Sequence, residues 1–285
     1  MSEPIIVGTD GSESADRAVQ WAAEEAVRRG RPLHILCAEE PWAYSIPLYY
    51  GADGTGSLTD LNRGILTAAE KLARDRRPEL RITSEMVAEP TVHALCERSA
   101  RAFEIVVGHR GLGGFGSMVL GSVGLRTAQH ASAPVVIVRG EARPLQGEVA
   151  VGIEVGEEST ALEHAFEAAA ARGARLRVVH AWQIPDRLLQ AGARIDERQL
   201  EEAIRWQLIE AHAPFRKRFP GVEVVEEAPQ DHPVAALEHI SREVDLVVVG
   251  AHERKPVPSL QLGSVSHGVV HHAHCPVVVA RKASS

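Results

Sequence analysis

Two halves of this sequence carry the same punctuation. Gly108, Gly121, Ser122 and Pro134 recur as Gly250, Gly263, Ser264 and Pro276, each 142 residues further on. A constant interval across four residues of special backbone behaviour marks a tandem duplication, so whatever the first half folds into, the second half must repeat. The chain has 285 residues, enough for two domains of about 140 residues, each with a core of its own. The expected domains are residues 1–140 and 148–285, joined by RGEARPLQG at Arg139–Gly147, a stretch with the Pro, Gly and charge content of a linker.

Within each half, β-rich runs alternate with helical patterns. Ile5–Gly8 reads as a first strand, and Ser12 or Ser14 can cap the helix after it. In that helix Ala15, Ala18, Val19, Ala22, Ala23, Ala26 and Val27 share one face, and Gly30 ends it. Strands are predicted at Leu33–Ala38, Leu80–Ala88, Ile105–Val107 and Val135–Val138. Helices are predicted from Ser57 to about Arg76, over Thr91–Arg101 and over Ser122–His130. Glu39–Ser57, with Pro41, Pro47 and all three tyrosines, reads as a long irregular loop of the kind that often serves as a lid.

The second half restarts at Val149–Ile153. It continues through Ala161–Gly173, Leu176–Trp182, a long helix from Asp196 to Phe219, Val222–Glu226, Val234–Val244, Leu246–Val249, Ser264–Ala273 and Val277–Ala280. Such alternation means βαβ units and a parallel sheet in each half. Ligands of these sheets sit beyond the carboxyl ends of the strands, where Asp10 and Gly108 both lie.

The totals narrow the partners. Net charge is −7 with no long basic run, against nucleic acid or an anionic membrane as the main partner. No apolar run approaches the roughly 18 residues of a membrane span. The opening MSEPII lacks the order of a signal peptide, and three scattered cysteines form no C-x-x-C pair, so a cytoplasmic protein is expected.

The stretch IVVGHRGLGGFGSMVLGSVG, Ile105–Gly124, runs from a buried strand into a glycine-rich loop and then into a helix opened by Gly121-Ser122. Glycines let a backbone approach a ligand, and a helix start offers N–H groups and a positive dipole end. The loop therefore reads as a phosphate cradle. It is not a Walker A loop, since no lysine lies between Gly108 and Gly124. Gly111 to Gly116 does match G-x-G-x-x-G, but those glycines do not open the helix directly and no acid follows at the dinucleotide spacing.

The spacing Gly108-x2-Gly111-x9-Gly121-Ser122, together with IIVGTDGS at Ile5–Ser12, resembles the ATP-binding signature of the universal stress protein family, and the repeat extends the resemblance over nearly the whole chain. The resemblance implies two tandem α/β Rossmann-like domains of the adenine nucleotide α-hydrolase-like kind, each a five-stranded parallel sheet flanked by helices. It also implies ATP as ligand, with any Mg²⁺ brought by the nucleotide. Asp10, beside Gly8 and Thr9, stands at the ribose position, and Ala38 at the adenine position. Val107, Gly108, Gly111, Gly121, Ser122 and Val123 match the phosphate grip, with His109 and Arg110 in the loop. Gly124 takes the place of a second hydroxyl.

In the second half Gly152, Ile153, Glu154, Gly250, Gly263, Ser264, Val265 and Ser266 hold the matching positions. There Glu154 replaces the aspartate and Glu253 replaces the glycine equivalent to Gly111, so binding is expected mainly in the first half. The run His271-His272-x-His274-Cys275 has metal-ligand residue types, but adjacent histidines on a helix point apart, and no metal site is assigned. No placed base accompanies the loop, so a sensor or regulator is expected. The alternatives are a slow ATPase or nucleotidyl-transfer enzyme of the same group, or a nucleotide-free scaffold that dimerises. The family commonly pairs through its last strand. Val135–Val138 and Val277–Ala280 could pair within one chain, with a homodimer as a further expectation.

Overall fold

The computed structural model describes residues 2–38, 49–50, 56–111, 120–141, 143–156, 160–185, 187, 190, 195–251 and 262–281. Contacts divide the chain into two compact units that part at Arg139 and Gly140. Among the described residues no helix is long and apolar enough to cross a membrane.

The first unit contains β1 (Ile5–Thr9), α1 (Glu13–Arg29), β2 (Leu33–Ala38), β3 (Tyr49–Tyr50), β4 (Gly56–Ser57), α2 (Leu58–Arg76), β5 (Ile82–Val87), α3 (Thr91–Ser99), β6 (Glu104–Gly108), α4 (Ser122–His130) and β7 (Val135–Val138). Its main sheet runs β7-β6-β1-β2-β5, and every pairing in it is parallel. The central strands are Val and Ile runs buried on both faces, as a parallel sheet covered by helices requires. Helix α1 lays its alanine face on the sheet: Ala18, Val19, Ala22, Ala23 and Ala26 have no exposed surface. Side chains that small let the helix approach closely, and Gly30 closes it in the left-handed conformation at φ 61°. Helices α1 and α2 pack together, as do α3 and α4, which gives one helical layer on each side of the sheet.

The second unit repeats this plan with β8 (Glu148–Gly152), α5 (Thr160–Arg172), β9 (Arg175–Val179), α6 (Glu197–Arg218), β10 (Val224–Glu227), α7 (Pro233–Ile240), β11 (Leu246–Gly250), α8 (Ser264–His272) and β12 (Val277–Ala280). Its strands run β10-β9-β8-β11-β12, again all parallel. Phe166 of α5 fills this core and stacks on Phe215 and Phe219 at 5.6 and 5.9 Å between ring centres. The duplication extends to fine detail. The Ser99 hydroxyl accepts from Ser132 N at 2.8 Å, and the Ser241 hydroxyl accepts from His274 N at 2.8 Å.

Residues 143–147 are bound to the second unit. Arg143 donates to the carbonyls of Ser241, Arg242 and Val244, while Asp245 accepts from Gln146 N and Gly147 N at 2.8 Å each. Gly140 has φ 79°, and a Cβ on it would stand 2.2 Å from the His274 carbonyl oxygen.

Two local expectations change. The segment 39–57 is not wholly irregular, because Tyr49–Tyr50 pairs antiparallel with Gly56–Ser57; residues 39–48 and 51–55 lie outside the described residues. Ser57 directly precedes α2, at the cap position expected of it, and is also the last residue of β4. Helix α7 stops at Ile240 rather than Val244. Val244 is fully buried, but as a loop residue before β11, so the apolar pattern outlasts the helix.

Candidate functional site

Strand β1 is flanked by β2 on one side and β6 on the other. The chain leaves β1 through α1 towards β2, so the strand order reverses between β1 and β6. In open α/β sheets that reversal opens a crevice beyond the carboxyl ends of the strands. Thr9 and Asp10 sit at one lip, Gly108 and His109 at the other.

The β1 lip is a tight turn. Gly11 has φ 77°, and a Cβ there would come within 2.9 Å of Ile65 on α2. Thr9 is buried, and its hydroxyl accepts from Gly11 N at 3.3 Å. The Asp10 carboxylate accepts from Ser12 N at 3.0 Å. Ser12, not Ser14, caps α1, accepting from Ala15 N at 3.2 Å.

Ser14 does something no local rule would predict. Its buried hydroxyl accepts from Arg110 N at 3.2 Å and meets His109 Nδ1 at 2.9 Å. The start of α1 is thereby tied to the loop that follows β6. Gly108 makes that junction possible, since a Cβ on it would lie 2.6 Å from Ser14 Oγ and 2.7 Å from the Ser14 carbonyl carbon and oxygen.

Across the crevice, Gly111 faces Asp10 so closely that a Cβ there would stand 2.4 Å from Asp10 Oδ2. Gly121 N donates to the His109 carbonyl at 2.7 Å, which brings the start of α4 to the same loop. As N-cap, Gly121 supplies no side-chain acceptor to the first-turn amides of Ser122, Val123 and Gly124. A Cβ on Gly121 would touch Arg110 Cα and the His109 carbonyl at 3.5 Å, an ordinary contact. The carboxylate, the bare Gly111 backbone and the α4 amides therefore converge, and residues 112–119 of the same loop lie outside the described residues.

The electrostatics hold two features that motif reading missed. His109 has its pKa lowered, by burial first and then by the positive fields of Arg139, Arg110 and Arg17. Arg17 on α1 and Arg139 just after β7 thus share the neighbourhood with Arg110. Only their position in the fold brings them there. On the acidic side, Asp16 has its pKa raised, by burial first and then by the negative fields of Asp10 and Glu13.

The remaining positions divide. Ala38 ends β2 and pairs with Val87, with Cys37 level with Thr9 on β1. Val107 is buried beneath the loop. Gly8 lies against Leu95, with 3.5 Å from an added Cβ. Gly124 points to the sheet, its added Cβ lying 3.7 Å from the Gly108 carbonyl oxygen. Its second-unit counterpart explains that direction, for the buried Ser266 donates its hydroxyl to the Gly250 carbonyl at 2.6 Å. The hydroxyl at this position is spent on the strand.

In the second unit, an added Cβ on Gly152 would lie 2.6 Å from Leu237, and the His180 ring meets the Ile153 carbonyl at 3.0 Å. Glu154 is exposed, and Gly263 caps α8 as Gly121 caps α4, ahead of Ser264 and Val265. Among the described residues nothing lies within 4 Å of a Cβ on Gly250, in contrast to Gly108. Glu253 falls outside the described residues.

A family model, described as the universal stress protein family, matches residues 1–139 and again residues 148–281. The chain belongs to that family. A universal stress protein of Mycobacterium tuberculosis strain H37Rv is 33% identical over 299 residues, covering 97% of this chain and 94% of that protein. One from Mycolicibacterium smegmatis is 33% identical over 285 residues, covering 97% and 96%. The crystal structure of a universal stress protein from Archaeoglobus fulgidus superposes with a TM-score of 0.67 at 18% identity, covering 98% of this chain and 96% of that one. Its likeness extends over both units and supports the fold assignment of a tandem universal stress protein.

Proposed function

We propose that this universal stress protein binds an adenine nucleotide, ATP, in its first unit and works as a nucleotide-responsive regulator in the cytoplasm. One observation carries the reading: Asp10, Gly111 and the amide end of α4 meet at a single crevice, with a glycine wherever a side chain would fill it. A carboxylate suits a pair of ribose hydroxyls. Bare amides at a helix start suit phosphate oxygens. Arg17, Arg110 and Arg139 supply the positive field that the missing lysine would have given. Ala38, at the end of β2, has the position for the adenine edge, and a Mg²⁺ ion would arrive with the phosphates. Val107, His109 and Gly124 act as support, holding the loop and the helix.

The second unit fits nucleotide less well in this reading. Glu154 is one methylene longer than aspartate, and the His180 ring closes on Ile153 at the strand mouth. Turnover is not part of the proposal, because the one imidazole in the loop is engaged by Ser14. A multiple-turnover assay with labelled ATP separates the regulator from a hydrolase, since sustained rates near the ordinary enzyme range of roughly 1 per second would sink it.

Gly121→Asp tests the site directly. Aspartate is a favoured N-cap residue, and at Gly121 its Cβ meets only ordinary contacts, so the fold survives. The new carboxylate would accept the same first-turn amides and repel the phosphates. Titration calorimetry should find ATP bound by the parent and lost in the variant. Unchanged binding in the variant would show that α4 does not hold the phosphates.

A further inference from the structure

We propose that His267 and His271 form a two-imidazole chelate for a divalent transition ion of the imidazole-preferring kind, such as Zn²⁺, Ni²⁺ or Cu²⁺. The two residues stand four apart on α8, so their side chains share one face of the helix. Their ring centres are 4.5 Å apart, with the planes at 34°. Metal–nitrogen bonds of about 2.1 Å require the two ligand nitrogens to approach each other to roughly 3–3.5 Å, which rings at this separation reach by side-chain rotation alone. Imidazole is the ligand these ions favour over carboxylate and carbonyl oxygen. His267 is exposed, so water can complete the coordination shell, and binding would exchange one of the contacts His271 makes now.

The duplication argues that the pair is not demanded by packing. The positions 142 residues earlier hold Leu125 and Gln129, on a helix of the same length and place. The pair shares His271 with the histidine run noticed in the sequence but takes its second ligand from His267, outside that run. His272 follows directly and stands 6.3 Å from His271, and His274 is hydrogen-bonded to Glu238 at 2.6 Å. The grouping Glu89, His93 and Glu97 near α3 is a poorer candidate, because Arg98 already pairs with Glu89 at 3.0 Å and lies 3.9 Å from Glu97.

The test is titration of the full chain with Ni²⁺ alone in a non-coordinating buffer at neutral pH, followed by calorimetry. His267→Leu and His271→Gln restore the residues of the first half, and His272→Gln serves as control on the same helix. The parent should take up one Ni²⁺ at this pair. Either of the first two variants should weaken that binding by about tenfold or more, while the control leaves it unchanged. His267 is exposed, so His267→Leu keeps the fold and decides the matter even if His271→Gln unfolds. Parent-like affinity in His267→Leu, an equal loss in His272→Gln, or no uptake by the parent would each overturn the assignment.

Discussion

Gly108→Ala and Gly250→Ala make the same chemical change at equivalent places and should have unequal effects. At Gly108 the new methyl would stand 2.6 Å from Ser14 Oγ and 2.7 Å from the Ser14 carbonyl carbon and oxygen, about an ångström inside normal contact. Two of those atoms are backbone. They cannot swing aside, because Ser12 caps the same turn and Ser14 holds both His109 and the Arg110 amide. Overpacking of this kind costs typically about 1–3 kcal/mol. Taking about 2 kcal/mol for a unit of this size, the melting midpoint should fall by roughly 4–8 °C. At Gly250 the described residues place nothing within 4 Å of the methyl, and the change should stay within about 0.5 kcal/mol of the parent. Urea unfolding of the two variants beside the parent is the assay, with the midpoint compared at constant slope. Equal shifts, or a larger one at Gly250, would refute the claim that the Gly108–Ser14 junction is closed to any side chain.

Other outcomes follow from the same contacts. Gly111→Ala pushes a methyl to 2.4 Å from Asp10 Oδ2, so the carboxylate must rotate away. Stability should drop by only about 1 kcal/mol, the worth of one hydrogen bond, while ATP affinity measured by calorimetry falls more steeply. His109 has its pKa lowered in the folded chain, by burial first and then by the positive fields of Arg139, Arg110 and Arg17. The unfolded chain therefore takes up that proton first. The stability contribution is complete above about pH 6.5 and is lost as the pH falls below it, and in paired urea titrations His109→Gln should remove that part of the slope. Ser266→Ala strands the Gly250 carbonyl and should cost about 1 kcal/mol, whereas Gly124→Ser should be tolerated, its hydroxyl reaching the Gly108 carbonyl. Chemical denaturation reads both.

The alternation of strands and helices was legible because β-branched runs and the alanine face of α1 are periodic signals carried by neighbouring residues. The crevice was legible for a related reason: glycines at fixed spacing and an aspartate after the first strand are local marks of backbone approach. What escaped reading depends on contacts distant along the chain. Ser14 looked like a candidate cap and became the tie to His109, 95 positions away. Arg17 and Arg139 belong to no motif and come to act on His109 only through the fold. Gly124 seemed to lack a phosphate contact, yet Ser266 shows that a hydroxyl there turns to the strand. Helix α7 was overestimated because burial of Val244 looks the same in a loop as in a helix.

The octet from Gly140 to Gly147 would pass for spare rope between two bodies. Gly140 fits beneath a carbonyl, Arg143 gathers the carbonyls where α7 ends, and Asp245 holds the amides just before β8. A fragment begun at Glu148 would leave that end of α7 uncapped, while one begun at Gly140 would carry its own fastening. The boundary at which the first repeat ends and the second begins therefore lies at Arg139, ahead of Pro144 and not after it.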